Sequence, residues 1–498
     1  MELQFEKREI PCLAPVLSRV QNLELTQEVR LPEEGSEAGR ILGCRGQVLI
    51  RSKEWIRDRL QITGGVKIWV LFEPETDSGV QTVEAWIPFK MDWDIPGDHP
   101  EGAVRILPRL RYGDARQVGA GKLLLRAGVG VMAECVSPKQ AVTYGPKEIP
   151  QDLELLTKRW PLRLLKEAGE KLFELEEELR LPHFVPGMER LISAHMEPSV
   201  TDKKVLGDRI VFRGNGNLHI LYQGEDGKLH SHDFELPFSQ YADLRQSHSG
   251  DAQVDVRMAV TRLEPEAGTE GTLHLKAGMT GQYLIDDRET VETMEDAYSL
   301  RRDLEISRGE ADLPSILDNR RENICGEVMI PVQAGEIVET VFLADFPRQQ
   351  RSGDAMSLEQ PGAVQMLYYD DEGQLQAASQ KWEGDLSVPA DEGVTVDAVS
   401  GVAQLQMSAG STGVNVSAQI PVQMVSMTDE GIPMVTGMKV GENRALSPDR
   451  PSLVLRRVGE DSLWDIARKS GSTMEAIRRA NALESDPVPG QMLLIPVV

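Results

Sequence analysis

The chain has 498 residues, which is too long for one hydrophobic core and predicts three or four domains of ordinary size. Hydrophobic residues make up 40% and charged residues 27%, a composition typical of folded globular proteins and not of disordered chains. The net charge of −25 argues against a nucleic-acid or anionic-membrane binder, because such proteins gather Lys and Arg. The acidity favours either a basic partner or, as the simpler interpretation, a surface that serves only solubility.

The cysteines and the apolar segments bear on the compartment. Cys12, Cys44, Cys135 and Cys325 stand singly, without the C-x-x-C spacing of a zinc or redox site, and are interpreted as buried, reduced thiols. The first residues lack a cationic stretch followed by an apolar run, and no later segment is apolar enough to span a bilayer. The sequence therefore predicts a cytoplasmic protein without membrane insertion.

A short apolar phrase recurs three times. The copies are LLLRAGVG at 123–130, LHLKAGMT at 273–280 and LQMSAGST at 405–412. Before each Ala-Gly, apolar residues alternate with other residues, which predicts a strand with one apolar face. The glycine of each phrase is predicted to mark a turn or a bulge.

A second recurring phrase lies upstream of each copy, at 58–89, 208–238 and 361–388, and is loosest in the third copy. In the second copy, apolar residues alternate on both sides of Glu225-Asp226-Gly227, which predicts a hairpin. Equivalent antiparallel β modules are therefore predicted to contain the stretches Gly65 to Gly128, Gly216 to Gly278, and Gly362 to Gly410.

Two segments between the modules are predicted to be helical. Leucines recur as an apolar stripe from Asp152 to Leu181, interrupted at Pro161, and Glu292 to Arg308 is a second candidate. The predicted fold class is thus mainly β, with three tandem antiparallel, sandwich-like modules, helical linkers and a small C-terminal βααβ domain. The expected boundaries are 1–150 for an N-terminal segment with module one, 151–182 for a helical linker, 183–305 for module two, 306–445 for module three and 451–498 for the last domain.

The last stretch carries the most specific signal. A strand at 453–457 is followed by a helix that Asp461 or Ser462 would cap and Gly471 would end. A second helix opens at Ser472 or Thr473, and a strand follows at 492–495. This βααβ order and its sequence resemble a LysM domain along the whole segment.

In LysM domains a shallow ligand groove lies between the loop after the first strand and the loop before the last. The family's Gly-Asp-Thr-Leu reads Glu460-Asp461-Ser462-Leu463 here, with the glycine displaced to 459. Trp464 is interpreted as a core residue and not as a ligand platform, while Asn481 fits a helix cap and a ligand contact equally well. The resemblance implies a protein- or glycan-binding groove formed by Asp461, Ser462, Leu463, Asn481, Ala482, Leu483 and Val488.

Catalytic and metal-binding patterns are weak. We find no nucleophile elbow, zinc-protease helix or Cys-His pairing in the sequence. His230 and His232 would share one face of a strand, but no third ligand is evident, so a solvated face is favoured over a metal site. The sequence therefore predicts a protein that is not an enzyme, with no catalytic residues, no metal and no cofactor.

The repeated β phrases followed by a LysM-like end resemble the SipL/SpoVID type of spore morphogenetic protein, which carries tandem SPOCS modules. The resemblance covers roughly residues 40 to 435 in three copies. It implies a scaffold for spore coat assembly, in the mother-cell cytoplasm at the forespore surface. Its LysM groove would engage a coat morphogenetic ATPase of the SpoIVA type through apolar anchors such as Leu463, Ile477 and Leu483, and its modules would recruit other spore coat proteins. The alternative is a cell-wall protein whose groove binds the N-acetylglucosamine of peptidoglycan.

Overall fold

The computed structural model describes residues 3–31, 38–75, 79–99, 101–268, 271–410, 412–444 and 451–497. It is 75% strand and 4% helix, and its sheets are antiparallel. The first twelve strands are β1 (Phe5–Arg30), β2 (Arg40–Ile56), β3 (Arg59–Glu73), β4 (Gln81–Asp94), β5 (Ala103–Gly119), β6 (Lys122–Pro146), β7 (Leu153–Arg180), β8 (Met188–Leu206), β9 (Arg209–Gly224), β10 (Leu229–Asp243), β11 (Gln253–Ala267) and β12 (Thr272–Ser299).

Among the described residues, ten further strands precede the C-terminal segment. They are β13 (Arg302–Ala311), β14 (Ser315–Ile330), β15 (Glu336–Ala344), β16 (Arg348–Ser352), β17 (Ala355–Tyr369), β18 (Leu375–Pro389), β19 (Val394–Ser400), β20 (Gln404–Ala409), β21 (Val414–Thr428) and β22 (Ile432–Asn443). The C-terminal segment contains β23 (Leu453–Arg457), α1 (Leu463–Ser470), α2 (Met474–Asn481) and β24 (Met492–Pro496).

One six-strand unit is repeated along the chain. In the first unit the sheet orders are β2-β3-β4 and β1-β6-β5, and in the second they are β8-β9-β10 and β7-β12-β11. In each unit the long first strand pairs with the long last strand. The third unit has a related order with broken strands: β15-β17-β18 corresponds to β2-β3-β4, β13 pairs with β22, and β14 pairs with β21. It differs in that a bridge between β14 and β18 joins its strands other than β13 and β22 into one eight-stranded sheet. The strand pairing thus confirms the prediction of three tandem antiparallel modules.

The predicted helical linkers are wrong. The segment from Asp152 to Leu181 contains β7, which pairs with β12 from Leu153 opposite Ser299 to Arg180 opposite Thr272. The segment from Glu292 to Arg308 is divided between β12 and β13. Leu and Glu favour helices locally, but a ladder along a 28-residue strand outweighs that preference.

The third copy of the Ala-Gly phrase is also misplaced by the sequence pattern. The stretch 405–412 covers all of β20 except its first residue, together with the following turn, where Gly410 N–H donates to Gly413 O at 2.8 Å. Position 411 is outside the described residues. The structural equivalent lies one strand later, in β21. Its buried residues Val414, Val416 and Ala418 match Leu123, Leu125 and Ala127 of β6. Because strands of the third unit are broken, the similar sequence lies on the strand before the structural equivalent.

Other local predictions are confirmed. Gly128 and Gly278 face bulges in the partner strands β5 and β11. The predicted hairpin at 225–227 joins β9 to β10, and Gly227 has a φ of 76°, which favours glycine. Of the four free cysteines, Cys325 is exposed, contrary to the prediction, because it alternates with the buried Ile324 on β14; Cys12, Cys44 and Cys135 are buried.

Some sheet edges from each of the three units turn towards one another. Strands β2, β5, β8, β11 and β15 each lie at the edge of a sheet, and all five line a common cavity of about 840 Å³. An open edge carries unpaired N–H and C=O groups that invite aggregation. The convergence of the edges at one junction therefore shields them within the chain.

Polar side chains from neighbouring units cap these edges. Gln282 of the second unit is completely buried; its Oε1 accepts from Ile106 N–H and its Nε2 donates to Ile106 O, both at 2.8 Å, on β5 of the first unit. Gln47 of the first unit accepts from Met196 N–H on β8 at 2.9 Å. The Ser231 hydroxyl donates to Val338 O on β15 at 2.6 Å. Each cap links two units, so the units stabilise one another.

Replacing Gln282 with Leu should destabilise the junction. The substitution leaves the N–H and C=O of Ile106 without partners, and each orphaned buried group costs about 1–3 kcal/mol. We expect a loss of about 2–4 kcal/mol in the free energy of unfolding, measured by urea titration. The control is Gln253→Leu on an exposed position of β11, for which the change should stay within about 0.5 kcal/mol. Equal stability of the two variants would contradict the capping role.

A buried ionic network links all three units at the same junction. Arg45 of β2 binds Glu339 of β15 at 2.6 Å, and the Glu339 carboxylate is almost fully buried. His219 of β9 donates from Nε2 to Glu339 at 2.9 Å and from Nδ1 to Asp233 at 2.6 Å. Burial by itself lowers the pKa of His219, but these two hydrogen bonds outweigh it and raise the pKa to about 9. His219 is therefore charged at neutral pH, as two carboxylate partners require.

The raised pKa predicts a stability that depends on pH. The imidazole pKa of about 6.5 in the unfolded chain is below the folded value of about 9, so the stabilisation is complete below pH 6.5 and is lost as the pH rises through 9. We therefore expect the free energy of unfolding to fall by about 2 kcal/mol from pH 6.5 to 9.5. This is less than the full pKa shift would give, because the site is partly open to the cavity and solvent screens the charges. Urea titrations of the wild type and of His219→Gln test this. The variant should lack most of that decrease, and an identical decrease in both proteins would exclude His219 as its source.

Candidate functional site

The C-terminal βααβ order is confirmed, and its caps explain it. Ser462 caps α1 by accepting the Asp465 N–H at 3.1 Å, and Gly471 ends α1 with a left-handed φ of 63°. Thr473 caps α2 by accepting the Ala476 N–H at 2.9 Å. Ala482, also left-handed, follows the last residue of α2. Strands β23 and β24 pair antiparallel beside the two helices.

The two loops of the expected groove lie side by side. Val458, after β23, donates its N–H to Gln491 O and accepts from Gly490 N–H, both at 2.8 Å, just before β24. The Gln491 side chain also contacts the loop before β24, where it accepts from Val488 N–H at 3.2 Å. The two loops that the LysM resemblance expects to border a groove are therefore adjacent.

The structure divides the seven predicted groove residues into surface and interior. Ser462 and Ala482 are exposed, and 64% of Val488 is accessible. Leu463 is buried in the domain core, and Leu483 packs partly against the same core. A ligand in the groove would therefore meet Ser462, Ala482 and Val488 more readily than the leucines.

Two of the proposed apolar anchors are wrong for the same reason. Leu463 is only 4% accessible, and Ile477 is fully buried among the residues that hold the helices on the sheet. The stripe of apolar residues that suggested anchors is the inward face of each helix. Leu483 is the one anchor candidate with part of its side chain at the surface.

Asp461 is held by two cations at the start of the groove. Lys469 donates to its carboxylate at 2.6 Å, and Arg456 of β23 makes a second, short contact. The hydrogen bond from Lys469 lowers the pKa of Asp461. The pairing makes Asp461 an ionised hydrogen-bond acceptor that is already partly satisfied.

Asn481 is a structural clamp. Its Nδ2 donates to Ile477 O at 2.8 Å and to Leu494 O at 2.6 Å, and its Oδ1 accepts from Leu494 N–H at 2.7 Å. These contacts tie the end of α2 to β24. The three bonds favour the cap interpretation over a direct ligand contact.

Replacing Asn481 with Ala should therefore weaken the domain itself. The substitution removes three hydrogen bonds and leaves the Leu494 backbone groups unpaired, at a cost of about 2–3 kcal/mol. Hydrogen exchange of the β24 amides, measured by mass spectrometry, should speed up, while exchange in β9 stays unchanged. Ser485→Ala, on an exposed loop residue, is the control and should leave β24 protected. Normal protection in Asn481→Ala would restore the ligand-contact interpretation.

Trp464 is buried, as predicted, but partly by another unit. It is 5% accessible, and its indole Nε1 donates to Asp296 of β12 at 3.0 Å. Asp296 and Tyr298, which contact this face of α1, carried no signal in the sequence because they lie in the segment predicted to be a helix. Their role becomes visible only when β12 is placed beside the C-terminal domain.

The histidine pair on β10 has local partners. His230 Nε2 lies 3.0 Å from both carboxylate oxygens of Asp226, and the His232 ring packs edge-on against Phe234 at 4.7 Å. Within the described ranges, no group of three or more His, Cys, Asp or Glu side chains is arranged to hold a metal ion. In the same ranges, no helix is both long and apolar enough to cross a membrane.

The comparisons with known families agree with this architecture of tandem β units and a C-terminal βααβ domain. Residues 37–115 and 188–266 match the family described as SipL, SPOCS domain, and residues 460–496 match the LysM domain. The two SPOCS matches cover equivalent parts, β2 to β5 in the first unit and β8 to β11 in the second. No curated protein and no solved structure showed significant similarity to the chain.

Two stretches that match the SPOCS domain thus occur with a C-terminal LysM match in one chain, and this arrangement matches the SipL/SpoVID type that the sequence resemblance predicted. Both families are non-catalytic binding or scaffold domains. Together they fit a protein associated with sporulation and the spore coat. The third unit shares the topology of the first two outside the matched residues.

Proposed function

We propose that the chain is a scaffold for spore coat assembly, in the mother-cell cytoplasm at the forespore surface. Its LysM domain docks onto a coat morphogenetic ATPase of the SpoIVA type, and its β units recruit other coat proteins. The observation that carries the proposal is the combination of two SPOCS matches with a LysM match in one chain. The predicted domain boundaries are part of the same proposal. The one change is that the stretch 151–182 contains the strand β7 instead of a helical linker.

The surface of the LysM domain supports a protein partner. Val488 stands in the groove loop directly before β24, and Met492 begins that strand with half of its surface accessible. Leu453 and Leu455 are exposed on the paired strand β23. Exposed aliphatic residues gathered on so small a domain are typical of protein–protein contact surfaces.

A peptidoglycan ligand is the second candidate, because LysM domains suggest binding to peptidoglycan or another carbohydrate. The polar groups at the groove favour it: Ser462 is exposed, and Asp461 presents an ionised carboxylate. The aromatic ring nearest to the groove in sequence, Trp464, is buried and offers no stacking face for a sugar. The apolar surface therefore supports the protein partner more strongly.

Binding experiments with Val488→Glu distinguish the two ligands. The substitution places a charge on an exposed apolar groove residue without touching the core. For a hydrophobic contact we expect at least a tenfold loss of affinity for a purified ATPase of the SpoIVA type, measured by biolayer interferometry with the full chain. The matched control is Leu172→Glu, an equally exposed apolar residue on β7, which should bind the ATPase like the wild type.

Co-sedimentation of the same proteins with purified peptidoglycan forms the second arm. Binding of the wild type to the ATPase, with no sedimentation on peptidoglycan, supports the scaffold. Sedimentation on peptidoglycan that Val488→Glu weakens, together with no binding to the ATPase, would replace it by the wall-binding function.

A further inference from the structure

The LysM domain is packed against the repeated units through one face of α1. Trp464 and Tyr298 of β12 meet edge to face, with ring centroids 4.7 Å apart. The Tyr298 hydroxyl donates to Ser472 O, at the turn between the helices, at 2.7 Å. Leu156 of β7 and Leu300, next to β12, border the same cluster. Both rings are almost fully buried, so this contact excludes solvent as a domain core does.

A single carboxylate organises the polar part of this contact. Asp296 of β12 accepts from the Trp464 indole at 3.0 Å and from Arg468 at 2.8 Å, both in the LysM domain. Its other oxygen accepts from Arg308 of β13, in the third unit, at 2.7 Å. The Asp296 side chain is only 12% accessible, so each of these bonds forms in a largely desolvated site. Asp296 thus joins the second unit, the third unit and the LysM domain.

The path of the chain brings the LysM domain back to this contact. The last described residue of the third unit, Arg444, donates its N–H to Arg301 O at 2.7 Å. Arg301 is three residues from Tyr298, so the chain leaves the third unit beside the contact surface. Short tethers give effective concentrations in the millimolar range, at which a small interface is enough for docking.

We infer that the seam between the second and third units is a docking surface for the chain's own LysM domain. Trp464, Arg468 and Ser472 form the docked face, and Asp296 and Tyr298 form the receiving face. The LysM domain is therefore held in one orientation against the second unit beside the seam, with its groove residues Ser462, Ala482 and Val488 exposed. This inference stands independently of what the groove binds.

Spin-label distances in the full chain test the inference. Labels are placed at Glu235→Cys on β10 and Glu484→Cys in the LysM domain, both exposed positions, after Cys325→Ser removes the exposed native thiol. Pulsed electron paramagnetic resonance should give one narrow distance distribution. Asp296→Ala should broaden it, because the LysM domain then loses both hydrogen bonds to the carboxylate.

A second variant and a matched control keep the result interpretable. Arg468→Ala changes the LysM side alone and leaves the bond from Arg308 to Asp296 intact, so it should add a broad component even if Asp296→Ala perturbs the third unit. Glu292→Ala removes an exposed carboxylate of the same strand β12, paired with Arg159, and should leave the narrow distribution unchanged. A broad distribution in the wild type, a narrow one in both interface variants, or equal broadening in the control would overturn the inference.

Discussion

The structure depends on covering the open edges of its sheets. In the first unit β2 and β5 are edge strands of the two sheets, and in the second unit β8 and β11 are. A lone unit of this kind would present rows of free N–H and C=O groups to other chains. The three units turn these edges to one junction, where Gln47, Gln282 and Ser231 hydrogen-bond to backbone groups of the edge strands across unit boundaries. The repeats are therefore mutually dependent parts of one assembly.

The same physical device recurs at two places. Glu339 at the central junction and Asp296 at the seam are buried carboxylates that accept hydrogen bonds from other units. A buried carboxylate that lost its partners would carry a high desolvation cost, which favours the one arrangement in which all partners are present. Specific orientation of the units follows from this requirement, since apolar packing alone tolerates small rotations. Fixed angles between units are what the proposed scaffold function would need.

Local patterns predicted the parts of the structure that local physics controls. The hairpin around Gly227 and the caps Ser462 and Thr473 are confirmed, because turn geometry and helix ends depend on neighbouring residues. The segment around Pro161 was predicted as a helix because the spacing of leucine and glutamate reflects only nearby residues. It carries no information about a partner strand more than 100 residues away in the chain. The two loops expected to border the groove do lie side by side, but Leu463, expected in the groove, is buried in the domain core. The three hydrogen bonds of Asn481 favour the cap over the ligand contact, two interpretations that the sequence left equally open.

The β-rich repeats, the βααβ end and the resemblance to SPOCS and LysM domains were predictable from the amino-acid sequence, because they depend on short-range alternation, turns and caps. The pairing of β7 with β12, the capping of a distant edge by Gln282 and the hydrogen bond from the LysM domain to Asp296 became visible only in the folded chain. These outcomes depend on contacts between residues far apart in the chain, where partner and register are set by packing and by the need to satisfy buried polar groups.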